Sequence, residues 1–298
     1  MTKRKRHSKS KRPPRKGGAP NFKNLLDIIV PIYGEWEMAE RAIESIPEAC
    51  LGMNDGYRVI VIDNGTPVWR DGEGHEIKPE DQALGIKDML RNKDAFYRLE
   101  ENQGYPGAVN YGLQKGTAPL VLIWTSDVVM TPGSVAEAVK RLDDPEVGVV
   151  GAKLLFPRDE SPHGPPGMVQ HAGIAFDIEG RPFHILMGWP PDHKKVNQER
   201  EMAAVTGAWF MTRRELFAKT NGFPVVYGAG TFEDMDFCFS VREMGLKVLY
   251  CPTAWGYHYV GGSIRKGAHR PGFNLAMNSQ IFRGRWAQSL QWDEWKYW

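Results

Sequence analysis

The sequence predicts an α/β fold with a mainly parallel central sheet flanked by helices, behind a disordered basic N-terminal arm. Three observations predict it. From Leu25 onward, short β-branched apolar runs alternate with stretches of helical spacing, the pattern of parallel strands joined by right-handed helical crossovers. The 298 residues are 42% hydrophobic and 25% charged, a globular composition on a chain long enough to bury a core. Residues 1–23 hold ten Lys/Arg, no acid, and almost nothing apolar before Phe22, so that stretch cannot bury enough surface to fold alone.

The elements follow in order. Residues 26–33 (LDIIVPIY) read as a buried strand, and 36–46 as a helix with Trp36, Ala39, Ile43 and Ile46 on one face, ended by Pro47. Residues 57–63 (YRVIVID) are a second strand, closed by the Asn64-Gly65 turn, and 66–78 a polar loop. A helix over 83–90, a short strand over 95–99 and a loop entering a helix over 104–113 come next. A strand at 120–125, a helix at 134–142 capped by Ser134, and a strand at 147–155 complete the first half. The second half is less regular. Strands are expected near 169–176, 184–187 and 205–211, and helices at 213–219 and 232–244. A strand at 247–251 is stopped by Pro252, and a last helix spans 273–288, with Phe282 and Trp286 on one face. The expected organisation is an arm at 1–24, one domain at 25–263 with halves at 25–130 and 131–263, and an aromatic extension at 264–298.

Several function classes are disfavoured. No run approaches the ~20 apolar residues of a membrane span, and the basic N-terminus lacks the apolar stretch of a secretory signal. Cys50, Cys238 and Cys251 are too few and too scattered for a disulfide framework or a zinc site. A reducing, cytoplasmic compartment is the expectation. Of 38 basic and 36 acidic residues, 28 and 36 lie beyond the arm, so an acidic body of about −8 follows a basic tail. Such an arm suits DNA, RNA or an anionic membrane surface; a plain solubilising tail is the other reading.

In parallel α/β sheets ligands sit at the carboxyl ends of the strands. Those ends carry Pro31 and Tyr33, Asp63 and Asn64, Glu101 and Asn102, and Ser126 and Asp127. Carboxylates and amides there fit a polar ligand or a metal. Neither G-x-G-x-x-G nor G-x-x-x-x-G-K-[ST] follows the first strand, which disfavours a dinucleotide site and a P-loop.

A set of ordered segments then carries a resemblance. They are VIDNG at 61–65, ENQGYPGAVN at 101–110, TSD at 125–127, QHAG at 170–173, VTGAWFMTRR at 205–214, FEDMDFCFSVREMGLKVLYCP at 232–252 with His258 after it, and GGS at 261–263. Their order and content resemble a family 2 glycosyltransferase of the Rossmann-like glycosyltransferase A fold. Such enzymes move a sugar from a nucleoside-diphosphate sugar to an acceptor hydroxyl, with inversion.

The resemblance implies roles for particular residues. Pro31, Ile32, Tyr33, Asp63, Asn64, Asn102, Gly104, Ser126 and Asp127 would bind the nucleotide sugar, UDP before other nucleotides. Asp63 would accept the uracil imide N–H, its competing reading being an Asx turn; Gly104 reads equally as loop punctuation. Asp127 matches the final acid of the family's D-x-D element, with Thr125 in place of the first. With His258 it would hold Mn²⁺ or Mg²⁺ against the diphosphate. Glu233-Asp234 matches the acidic pair that supplies the general base, Asp234 first and Glu233 second, while Asp236 orients or caps. Thr206, Gly207, Ala208 and Trp209 would face sugar or acceptor.

The acceptor is left open between a surface glycan and a hydroxylated base in DNA held by the arm. Two other classes stay beside this reading. A sugar nucleotidyltransferase needs a Gly-rich basic phosphate loop where Gly34-Glu35-Trp36 stands. A non-catalytic body tethered to nucleic acid would fit the single Asp127 but not the intact Glu233-Asp234 and His258.

Overall fold

The computed structural model describes residues 25–70, 72–159, 161–260, 274–293 and 296–297. The basic arm, Gly261-Gly262-Ser263 and parts of the expected 264–298 extension lie outside the described residues.

In chain order the strands and helices begin with β1 (Leu26–Ile32), α1 (Trp36–Ala49), β2 (Tyr57–Asp63), β3 (Trp69–Arg70), β4 (Glu76–Ile77) and α2 (Pro79–Met89). Then come β5 (Ala95–Arg98), α3 (Gly104–Gln114), β6 (Leu120–Trp124), β7 (Val128–Met130), α4 (Ser134–Leu142) and β8 (Val147–Leu155). The second half holds β9 (Val169–His171), β10 (Ile174–Phe176), β11 (Pro182–His184), β12 (Arg200–Glu201), β13 (Trp209–Arg213) and α5 (Arg214–Thr220). It ends with α6 (Glu233–Glu243), β14 (Lys247–His258) and α7 (Leu275–Trp286).

The main sheet runs β12-β14-β8-β13-β6-β1-β2-β5, with β7 added on β14 and β9 on β8. β6, β1, β2 and β5 are mutually parallel, as are β8 and β14. β13 joins the two groups by pairing antiparallel with both β6 and β8. Apolar alternation foretells the buried strands but not the direction of an insert like β13. β1 is buried at all seven positions, Pro31 included. Proline fits there because β6 pairs with β1 only as far as Ile29, so beyond that residue one side of β1 makes no ladder bond and a missing N–H costs nothing.

Five other expectations are corrected. α1 continues past Pro47 to Ala49; a proline one turn from a helix end forfeits one bond, and burial of Ile46 and Ala49 offsets it. Ser134 does not cap α4. Gly133 stands at the cap with φ +76°, and the Ser134 hydroxyl donates instead to the Trp255 carbonyl. β14 is not stopped by Pro252; it shifts register between Cys251 and Trp255 and runs on to His258, which is how a strand carries a proline. The 66–78 loop contains the β3–β4 hairpin. Residues 205–208 precede β13 rather than belonging to it.

Among the described residues no helix is long and apolar enough to cross a membrane. The core lies on both faces of the sheet. One side gathers α1, α2 and α4 residues such as Trp36, Ile43, Ile86 and Val135 against Ile28, Val30 and Leu122. The other gathers α3, α5, α6 and α7 residues such as Val109, Phe217, Phe237 and Phe282 against Ile29, Ile123 and Phe210.

Candidate active site

A cleft of about 380 Å³ opens at the carboxyl ends of β1, β2 and β6. Pro31, Ile32, Tyr33, Asn64, Asn102, Ser126, Asp127, Thr206, Gly207, Ala208, Glu233, Asp234 and His258 all line it. The fold therefore brings together thirteen of the sixteen residues singled out from sequence.

Three residues are not in the lining. Trp209 is fully buried and meets Trp124 edge-on at 6.2 Å, so its indole is core and not a stacking face. Asp63 is also fully buried. One of its oxygens accepts from the Thr66 N–H at 3.0 Å and hydroxyl at 2.6 Å, and the other pairs with Arg98. Its carboxylate shapes the turn after β2. Gly104 has φ +72°, and a Cβ there would collide with the Gly228 carbonyl; it supplies a close backbone approach.

The β2 and β5 ends are sewn together by amides. Asn64 donates to Asn102 Oδ1 at 2.9 Å and to the Gly104 carbonyl at 3.1 Å, and its own Oδ1 accepts the Gln103 N–H at 3.0 Å. Two short polar side chains thus fix the loop that leads into α3.

Asp127 follows β6, and His258 ends β14 some 130 positions later in sequence. Pairing of His258 with Val128 on β7 makes them neighbours, and the Tyr259 N–H closes on the Asp127 carbonyl at 2.8 Å. His258 Nε2 stands 3.5 Å from Asp127 Oδ1. The other ring nitrogen, Nδ1, lies 3.2 Å from Gln170 Oε1. An amide oxygen only accepts, so Nδ1 carries a proton in either charge state, while Nε2, facing Asp127, donates when the ring is charged and offers a lone pair when it is neutral. Burial pushes the Asp127 carboxyl up, but the His258 charge and hydrogen bonds from His258 and Thr125 outweigh it and hold it at about 2. A carboxylate oxygen and an imidazole nitrogen set side by side are a donor pair for a divalent ion whose remaining ligands are phosphate and water. Among the described residues no group of three or more metal-binding side chains occurs.

Asp234 sits in the first turn of α6. Its Oδ2 accepts the Gly207 N–H at 2.6 Å and its Oδ1 the Met235 N–H at 2.8 Å. Burial raises its carboxyl above the ordinary range, against the pull of those amides. The start of α6 is strained: Thr231 and Phe232 have φ +78° and +76°, a region β-branched and bulky residues avoid. Asn278 of α7 holds this turn, donating to the carbonyls of Tyr227 and Gly230 at 2.9 Å each. Asp236 points away, accepting the Tyr227 hydroxyl at 2.6 Å and Arg285 at 3.1 Å.

Residues 206–208 form the cleft wall, and sequence reasoning missed what holds them. The Thr206 N–H points at His171 Nε2 at 3.4 Å, and His171 Nδ1 meets His184 Nδ1 at 2.7 Å. With Nε2 accepting, His171 keeps its proton on Nδ1 and donates to His184. Burial holds His171 well below the usual histidine range and His184 at about 4. Tyr105 donates to the Gly207 carbonyl at 2.7 Å, and the Thr125 amide and hydroxyl donate to the Ala208 carbonyl at 3.0 and 3.1 Å. Tyr105 lies within the 101–110 segment, yet nothing local directs it to Gly207, far off in sequence, or pairs His184 with His171.

Comparison with known proteins bears on this site. The family model described as glycosyl transferase family 2 matches residues 27–220. The chain is 28% identical over 247 residues to the uncharacterized protein y4gI of Sinorhizobium fredii, covering 80% of this chain and 25% of that protein. It is 33% identical over 150 residues to the O-antigen biosynthesis protein RfbC of Myxococcus xanthus, covering 48% of this chain and 10% of that one. The chain thus spans a quarter or less of these relatives. Among solved structures it resembles GalNAc-T7 with UDP, GalNAc and Mn²⁺, at TM-score 0.63 and 14% identity, covering 93% of this chain and 50% of that one. It also resembles the mannosyltransferase PcManGT of Pyrobaculum calidifontis with GDP-Man and Mn²⁺, at TM-score 0.54 and 21% identity, covering 84% and 60%. At these identities the likeness is one of fold.

Proposed function

The chain belongs to glycosyl transferase family 2, and from that premise we propose that its cleft transfers a sugar from a nucleoside-diphosphate sugar to an acceptor hydroxyl by direct displacement. The fold is of the glycosyltransferase A type and the protein is a glycosyltransferase. Asp234 is the general base in this reading, Glu233 its neighbour in the same wall, and Asp127 with His258 the metal-holding pair.

The observation that carries the reading is the meeting of two unlike groups in one cleft. A carboxylate made more basic by burial stands on one wall. A carboxylate kept ionised beside an imidazole nitrogen stands on the other. The first suits proton removal from a hydroxyl. The second suits a divalent ion, which when bound neutralises charge on the departing diphosphate. The residues at 31–33, Asn64 and Asn102 are left for the nucleotide, and Thr206, Gly207 and Ala208 for sugar and acceptor. Mn²⁺ beside a nucleotide in both structural neighbours supports a nucleotide sugar with a divalent ion.

A surface glycan is the acceptor favoured by the O-antigen relative. DNA carrying a hydroxylated base is the second acceptor, favoured by the ten basic residues of the arm.

The test is release of nucleoside diphosphate from UDP-, GDP-, dTDP- and CDP-sugars with Mn²⁺, Mg²⁺ or EDTA. Metal-dependent release from one donor is expected, lost in Asp127→Asn and cut about 10²- to 10⁴-fold in Asp234→Asn. Absence of both release and nucleotide binding for every donor overturns the reading in favour of a non-catalytic body.

A further inference from the structure

We infer that Tyr105 is a positioning residue for Asp234, acting through Gly207: it fixes one side of a glycine whose other side holds the carboxylate. The inference deepens the reading above and rests on it for the role of Asp234.

The geometry is a three-part relay. The Tyr105 hydroxyl donates to the Gly207 carbonyl at 2.7 Å, and the Gly207 N–H donates to Asp234 Oδ2 at 2.6 Å. The two bonds engage different peptide units, one on each side of the Gly207 Cα. Glycine is the residue with most backbone freedom, so an N–H offered by glycine is placed only as well as the peptide beyond it. Tyr105 supplies that constraint. A Cβ at 207 would stand 3.1 Å from Asp234 Cβ, a tight contact that a small shift of one partner would have to relieve.

Tyr105 is itself held. It sits in the first turn of α3, its N–H reaches the Ala229 carbonyl at 3.3 Å, and its ring lies 6.4 Å from that of Phe223. Burial, with the carboxylates of Glu233, Asp234 and Asp127 around it, pushes the phenol well above its ordinary range. The hydroxyl stays a donor at any working pH. The remaining bond to Asp234, from Met235 N–H, comes from its own helix and cannot set where the carboxylate stands relative to the 206–208 wall. Among the described residues the Gly207 bond is the one that does that, and Tyr105 holds the peptide beyond it together with the weaker Ala208 N–H contact to the Thr206 hydroxyl at 3.3 Å.

The experiment is a pH titration of the Asp234 carboxyl carbon by NMR in ¹³C-aspartate-labelled protein, assigned with Asp234→Asn, in wild type and Tyr105→Phe. The substitution removes one oxygen and keeps the ring, and a cooperative unfolding transition checks that the fold is kept. Loosening the Gly207 bond withdraws a donor from the carboxylate, so the Asp234 midpoint is expected to move to higher pH, with the Gly207 amide exchanging faster. An unchanged midpoint and an unchanged Gly207 amide overturn the inference. This readout needs no turnover, so it stands apart from whether any donor is cleaved.

The kinetic arm uses hydrolysis of whichever nucleotide sugar the wild type cleaves. Tyr105→Phe is expected to lower kcat about 3- to 10-fold, the worth of one hydrogen bond, with the donor KM unchanged. It should have no further effect in the Asp234→Asn background, because the two residues act through one path. An equal loss in both backgrounds overturns the inference even if Tyr105→Phe also lowers stability.

Discussion

Asp234 and Asp127 are both acids recessed in one cleft, and their surroundings drive them in opposite directions. Among the described residues no cation acts on Asp234; burial raises its carboxyl, and backbone amides oppose that. Asp127 has His258. The pH dependence follows with a definite sign. As the proposed base Asp234 takes a proton only when ionised, so kcat should rise with pH through a limb lying above the ordinary carboxylate range, then level off. Asp234→Asn should remove that limb and lower kcat about 10²- to 10⁴-fold, which steady-state rates from pH 4 to 9 will read. Gln170 offers a quieter test. It accepts the Nδ1–H of His258 and so decides which nitrogen faces Asp127. Gln170→Leu should weaken Mn²⁺ affinity about 10- to 100-fold, as loss of an orienting partner does. A metal titration of donor-bound protein measures it, and unchanged affinity would mean the ring needs no such partner.

Elements show where sequence is informative and where it stops. β1, β2 and β6 are legible because most of their positions are apolar and buried, and the residues at or just past their carboxyl ends include Pro31, Asn64 and Asp127. Asp234 and His258 are legible only through the ordered motifs, since nothing local ties a helix start to a strand end across the sheet. The partners of Asp63 are not legible, because a carboxylate at a strand end looks the same in sequence whether it faces a ligand or, as in this structure, Arg98 and Thr66. The His171–His184 contact joins β9 to β11 and is invisible in sequence. It carries its own prediction. The unfolded chain takes up protons as pH falls below about 6.5, whereas folded His184 resists until about 4. Stability is therefore full above pH 6.5 and declines as pH drops toward 4, by up to about 1.4 kcal/mol per pH unit for each such histidine. Thermal unfolding across that window should show a shallower decline in His184→Gln than in wild type.

At the scale of the whole molecule the governing feature is separation of charge. An acidic catalytic body is joined at Leu25 to a stretch with ten Lys/Arg in 23 residues. The cleft opens at the carboxyl ends of β1, β2 and β6, whereas the arm joins at the start of β1, the opposite end of that strand. On the proposed reading the arm supplies polyanion affinity and the cleft supplies donor chemistry, and the two should separate experimentally. Deleting residues 1–23 should leave nucleoside-diphosphate release and the unfolding temperature unchanged, since so basic and apolar-poor a stretch has little surface to bury. The same deletion should remove binding to duplex DNA. In the full chain that binding should weaken with salt, log K falling against log[salt] with a slope of at most about −9, the limit if all ten basic groups meet phosphate. Fluorescence anisotropy with a labelled duplex between 50 and 200 mM salt would measure it. A truncated protein that still binds DNA with the full slope would put the contact on the acidic body, where like charge opposes it. No binding by the full chain would remove DNA from the acceptors and leave a glycan hydroxyl as the group Asp234 deprotonates.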